Sequence, residues 1–130
     1  MRKFLIIFVL CLFFTPNISF ADYNWKKIGS NTRGDVLYID LSTIKKVGNI
    51  VYYFDLLDYV IPSGQGHHLS SKTYKEVNCL DLSFRFLKDF YYLEPMGNGK
   101  ANLINHKSGE WYNNEKGSLG EHVRKFACNY

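Results

Sequence analysis

The chain has 130 residues, with 16 Lys and Arg against 12 Asp and Glu, for a formal charge of +4. That length accommodates one domain with a single modest core, and Arg2 and Lys3 at the extreme N-terminus carry part of the basicity. No concentrated positive face of the kind that binds nucleic acid is left.

Met1–Ala21 has the order of a secretion signal. Arg2-Lys3 is a basic start, Phe4–Phe14 is an unbroken apolar run, and Ser19-Phe20-Ala21 places small residues where a signal peptidase reads. The apolar run is 11 residues long, too short for a membrane span, which needs about 20. Cys11 lies inside it behind Val9-Leu10, so it lacks the small neighbours of a lipid-anchor cysteine. The expected division is therefore a signal, Met1–Ala21, and an exported domain, Asp22–Tyr130, with no lipid anchor and no transmembrane segment. Cys79 and Cys128 then remain in an oxidising compartment and are expected to form one disulfide. Closing a loop that long is worth roughly 4 kcal/mol in the chain-entropy account.

Ten Tyr and ten Phe gather in short alternating runs, which favours pleated, half-buried surfaces. Tyr23–Gly29 reads as a first strand. Asp35–Leu41 is a second, with Leu37, Ile39 and Leu41 on one face. Ser42–Lys46 reads as one helical turn, stopped by Gly48-Asn49. Ile50–Ile61 is the longest apolar run and takes the sheet centre, with room for a bulge. Pro62–Gly66 is a loop with His67-His68 at its exit. Ser70–Leu80 is a more polar strand that places Thr73, Val77 and Cys79 on one side. In Asp81–Leu93, Leu82, Phe84, Phe86, Phe90 and Tyr92 share a parity. Met96-Gly97-Asn98-Gly99 has the signature of a tight hairpin turn. Ala101–His106 and Glu110–Asn113 supply the last strand or strands.

The period then changes. Ser118-Leu119-Gly120-Glu121 has capping-box spacing, and Leu119, Val123, Phe126, Ala127 and Tyr130 recur on one helical stripe. Cys128 falls off that stripe. Either the helix ends before it, or the last turn distorts to reach Cys79.

Chemistry finds little purchase. His67 and His68 are adjacent, so on an extended segment they point to opposite faces, and the pair reads as solvated loop residues. No Cys or carboxylate stands at a zinc-like spacing, and the two Gly-x-Gly runs lack the Lys-Ser/Thr of a phosphate loop. Asp55 and Asp58 fall on opposite faces of a strand. The expectation is no enzyme, no cofactor and no metal. The competing reading is a small metal-dependent secreted enzyme using His67, His68 and Asp58. The surplus of sheet aromatics, with Trp111-Tyr112 the pair singled out as the contact site, speaks for protein binding, because Tyr and Trp are favoured interface anchors.

Trp25, Tyr38-Ile39-Asp40, Ser42-Thr43-Ile44, Asp55–Tyr59, Ser70-Ser71, Glu76–Cys79, Arg85, Met96-Gly97, Trp111 and Cys128, in that order, resemble the surface-adhesin protein E family. The resemblance spans essentially the whole exported domain. It implies an α+β fold: a single antiparallel sheet of about six strands with a C-terminal helix packed on one face and tethered by the disulfide. It also implies a bacterial adhesin-like domain that contacts host matrix or serum proteins such as vitronectin, laminin or plasminogen. The alternative is a soluble periplasmic domain of unknown role, for which an envelope protein is the candidate partner.

Processing is expected between Ala21 and Asp22. Intact-mass analysis of the exported protein should give Asp22 as its first residue, with Cys11 absent; a diacylated cysteine at the mature N-terminus would overturn both the boundary and the unanchored state.

Overall fold

The computed structural model describes residues 23–130. The expected signal Met1–Ala21, the cleavage site at Ala21 and Asp22, and Cys11 lie outside the described residues.

Seven strands form one antiparallel sheet: β1 (Trp25–Ser30), β2 (Val36–Asp40), β3 (Lys45–Val47), β4 (Ile50–Ser63), β5 (His68–Asn78), β6 (Phe84–Tyr92) and β7 (Leu103–Asn105). The spatial order is β1-β2-β4-β5-β6-β7, with β3 also on β4. One α-helix among the described residues, α1 (Leu119–Asn129), lies across β1 and β4.

Alternation in β4 decides how the sheet is used. Val51 and Tyr53 point to the helix and are fully buried, together with Ile39 of β2, Val77 of β5, and Val123 and Ala127 of α1. Each such side chain contributes about 1.5–3 kcal/mol on burial. The even residues Tyr52, Phe54 and Leu56 point to the other face, which no α-helix of the described residues covers. There the loop after β6 folds down instead. It turns through Pro95–Gly97 and takes Met96 at φ 58° and Gly97 at φ 64°. A Cβ on Gly97 would sit 3.0 Å from Leu56 Cδ1, so this glycine serves both the turn and the close approach that buries Leu56.

Several local expectations need correction. The expected helical turn is a 3-10 turn over Leu41–Thr43, capped by Asp40, whose carboxylate accepts the Ser42 amide at 3.0 Å. The strand β3 follows it, unforeseen because all three of its residues are exposed and show no alternation. The expected single parity along Asp81–Leu93 fails at a bulge. Tyr74 faces Lys88 while Lys75 faces Phe86, leaving Leu87 as the extra residue. Phe84 and Phe86 therefore lie on the helix side, and Phe90 and Tyr92 on the other. The Met96–Gly99 hairpin is not formed, since pairing with β6 resumes only at Leu103–Asn105. Of Glu110–Asn113, only Tyr112 reaches β6, as a bridge to Phe84.

The buried surface of α1 is wider than the expected stripe. Val123 and Ala127 are buried as anticipated, but Tyr130 is exposed, while Glu121 and Arg124 are buried. The Arg124 guanidinium lies 4.1 Å from the Phe84 ring centroid and donates to Asn114 Oδ1 at 2.8 Å. Half of the capping box is present: the Glu121 amide donates to Ser118 Oγ at 3.0 Å. The Glu121 carboxylate does not return to Ser118. It accepts from Asn114 and Lys125, which hold its pKa down at about 2. Cys128 lies inside the helix and is bonded to Cys79 just beyond β5, with Cα atoms 5.7 Å apart. The contact is reinforced by Lys46 Nζ, which donates to the Cys128 carbonyl at 2.6 Å near the negative end of the helix.

Asp35, fully buried, ties the β1–β2 turn to β4. It accepts from Asn31 Nδ2 at 2.9 Å, Arg33 Nη2 at 2.6 Å and the Val60 amide at 3.0 Å.

Cys79→Ala should cost roughly 2–5 kcal/mol in chemical unfolding and increase amide exchange in α1 before the sheet. A variant with unchanged midpoint and unchanged helix protection would show that packing alone holds α1.

Candidate functional site

Trp111 and Tyr112 stand at the open edge of β6, where the chain returns past the end of β7. The Tyr112 amide donates to the Phe84 carbonyl at 2.7 Å and the Phe84 amide to the Tyr112 carbonyl at 3.0 Å. Being adjacent on extended backbone, the two rings go to opposite faces. Tyr112 stacks on Phe84 at 5.6 Å on the helix side and meets Phe86 edge-on at 5.7 Å. On the helix-free side Trp111 lies 5.1 Å beneath the Arg85 guanidinium. Both rings remain about half exposed, at 46% and 50%.

Arg85 is held in place by Glu76, which accepts its Nε at 2.6 Å and also accepts the Tyr52 hydroxyl at 3.1 Å. Trp111, Arg85, Glu76 and Tyr52 thus form one line across β6, β5 and β4. From Tyr52 the helix-free face continues as rings: Tyr52 to Tyr74 at 6.2 Å, Tyr74 to Phe54 at 4.8 Å, Phe54 to Phe90 at 6.1 Å. All are half-buried. The edge itself adds Leu103 and Ile104, both exposed. Trp, Tyr and Arg around a partly desolvated ion pair are the residue types that dominate binding energies at protein interfaces.

The helix side offers a second concavity, because α1 covers only part of the sheet. A trough of about 340 Å³ is lined by Tyr59, Tyr91, Asp55, Lys75 and Asp89. Asp55 is buried and bonded to Lys75 Nζ. Burial pushes the Asp55 carboxyl above its usual range, against the pull of the lysine beside it. Sequence reading placed Asp55 on the opposite face from Asp58, as observed, but gave no sign of Lys75 as its partner, since that pairing depends on the β4–β5 register.

The histidines separate. His67 takes φ 51° and is exposed, whereas His68 is 6% exposed, against the expectation of a solvated pair. His68 Nε2 lies 3.1 Å from Asn102 Nδ2, and its ring packs 5.2 Å from Tyr91. The Asp58 carboxylate accepts the Met96 amide at 2.7 Å and so anchors the loop after β6. Among the described residues no three His, Cys, Asp or Glu side chains gather in a metal-binding geometry, and none of the described helices is long and apolar enough to cross a membrane.

Residues 25–129 match the profile of the family described as surface-adhesin protein E. Crystal form II of Haemophilus influenzae protein E superposes with a TM-score of 0.61 at 18% identity, covering 88% of this chain and 94% of that one. Protein E from non-typeable Haemophilus influenzae superposes at 0.56, again at 18% identity, over 88% of this chain and 81% of its own. At that identity the likeness is one of fold. Comparison with curated protein sequences gives no match.

Lys75→Met should destabilise the domain by about 3–5 kcal/mol at neutral pH, because it strands the Asp55 charge in the sheet. Protonation relieves that charge, so the deficit should shrink as pH falls toward the raised Asp55 pKa. Paired urea titrations at neutral and mildly acidic pH measure this. A deficit that stays constant with pH would mean that Lys75 acts only through packing.

Proposed function

The chain belongs to the surface-adhesin protein E family, and from that membership we propose that it is an exported, non-enzymatic protein-binding domain whose contact surface is the β6 edge around Trp111 and Tyr112. The observation that carries this reading is the half-exposed Trp111 ring, held under Arg85 by an ion pair that fixes the guanidinium. Such a ring offers a partner a large apolar face at little cost in side-chain entropy, and the charge beside it gives direction. Tyr112, Leu103 and Ile104 extend the apolar area along the same edge. In keeping with the family, the proposed ligands are host matrix and serum proteins, with vitronectin, laminin and plasminogen the ones to try. The proposed location is the cell surface or the periplasm, without a lipid anchor.

The test is capture of the exported domain on immobilised vitronectin, laminin and plasminogen. Trp111→Ala and Tyr112→Ala should each weaken binding about ten-fold or more, a loss of ~1.4 kcal/mol or greater. Thermal melts should show both variants folded, as their exposure requires, and His67→Ala should bind like the parent. Equal capture by parent and Trp111→Ala would move the contact surface elsewhere. Unfolding of Trp111→Ala would place that ring in the core.

A further inference from the structure

At the far end of the helix-free face from Trp111, the sheet buries a lysine. Lys72 on β5 is 8% exposed. Its Nζ donates to the Tyr23 hydroxyl at 2.7 Å and lies 4.2 Å from the centroid of that ring, 5.1 Å from Tyr92 and 6.0 Å from Phe90. The loop after β6 closes over its stem, since a Cβ on Gly97 would come within 3.3 Å of Lys72 Cδ. The ion pairs among the described residues use Arg33, Lys75, Arg85 and Lys125; Lys72 has no carboxylate partner there. Ring faces attract the ammonium, but they do not neutralise it. Burial alone would lower its pKa, and the Tyr23 and Tyr92 hydroxyls outweigh that effect, so the group stays charged.

Two cavities meet at this lysine. One, of about 320 Å³, is walled by Phe54, Phe90 and Ile104. The other, of about 520 Å³, opens between Tyr92 and the Gly97–Gly99 turn. Tyr23, Lys72, Tyr92 and Ala101 border both, so the charge stands where an apolar slot widens toward solvent.

We propose that this cleft binds a small monocarboxylate with an apolar body, its carboxylate on Lys72 Nζ and its hydrocarbon along Phe54, Phe90 and Ile104. A single ammonium with phenol hydroxyls around it matches one negative charge. The Glu94 carboxylate, 3.4 Å from where a Gly99 Cβ would stand, disfavours a more highly charged anion at the wider end. The cleft shares Ile104 with the apolar edge but neither Trp111 nor Tyr112, so carboxylate binding at Lys72 is read out independently of protein capture at Trp111.

Nuclear magnetic resonance titration of the exported protein with octanoate, decanoate and 3-phenylpropionate tests the assignment. Saturable shifts should centre on Lys72, Tyr92 and Gly97–Ala101, and octanol, which lacks the charge, should bind about ten-fold or more weakly. Lys72→Met keeps the apolar stem and should lose carboxylate affinity by a similar factor, while Lys72→Arg retains it. If Lys72→Met does not fold, Ala101→Trp, which fills the mouth from a half-exposed position, should abolish the shifts instead. Absence of saturable binding by all three acids, equal affinity for octanol, or unchanged binding in a folded Lys72→Met or Ala101→Trp variant would overturn the proposal.

Discussion

A helix of 11 residues is too short to be stable by itself, and α1 draws its order from the sheet it covers. The Cys79–Cys128 bond fixes where that cover sits. It joins the end of β5 to the last turn of the helix, and Lys46 from β3 grips the same turn through the Cys128 carbonyl. With the C-terminal end held there, Val123 and Ala127 fall onto Val51, Tyr53 and Val77, and Arg124 lies over Phe84. The other end is set by Ser118 and by the Glu121 carboxylate bonded to Asn114 and Lys125. Everything on the helix side follows from this placement, including the trough that begins where α1 stops.

Much of the fold was legible in the sequence because its signals are local or compositional. Alternation marked β2 and β4, capping chemistry marked the start of α1, and the count of cysteines left after the expected signal pointed to the disulfide. What was missed depends on pairing. The Leu87 bulge carries no composition signal, yet it turns Phe90 and Tyr92 away from the face of Phe84 and Phe86. The strand β3 is polar and exposed, and it exists because β4 extends far enough to offer it an edge. Cys128 falls off the apolar stripe of α1 yet lies inside the helix. The real buried surface is wider and admits Arg124 and Glu121, which have partners in Asn114, Phe84 and Lys125.

The candidate sites show the same division. Trp111 and Tyr112 were visible as an aromatic pair whose rings oppose, and the structure puts them at an edge where both stay half exposed. Their support was not visible, since Arg85, Glu76 and Tyr52 come from three strands and meet only in register. Lys72 and Lys75 read alike in sequence, two positive residues on a polar strand. One lies on each face: Lys75 meets a buried carboxylate, and Lys72 meets rings. A one-residue slip of β5 would turn each lysine to the opposite face, so the register of the sheet also determines the distribution of charge on it.

The spatial order of the strands nearly follows their order in the chain, with only β3 set aside from the path. Strands neighbouring in sequence can therefore pair through short connections, and loop closure proceeds in small steps from β4 and β5 outward. The helix is the exception. Its partners β1 and β4 lie far back in the chain, so its docking is the long-range event, and until then Val51, Tyr53 and Val77 form a bare apolar strip. Under the proposed export that interval falls in the envelope, where premature contact between such strips leads to aggregation. The bond between Cys79 and Cys128 spans that long-range contact, so once formed it keeps the two partners near each other even when the packing between them opens.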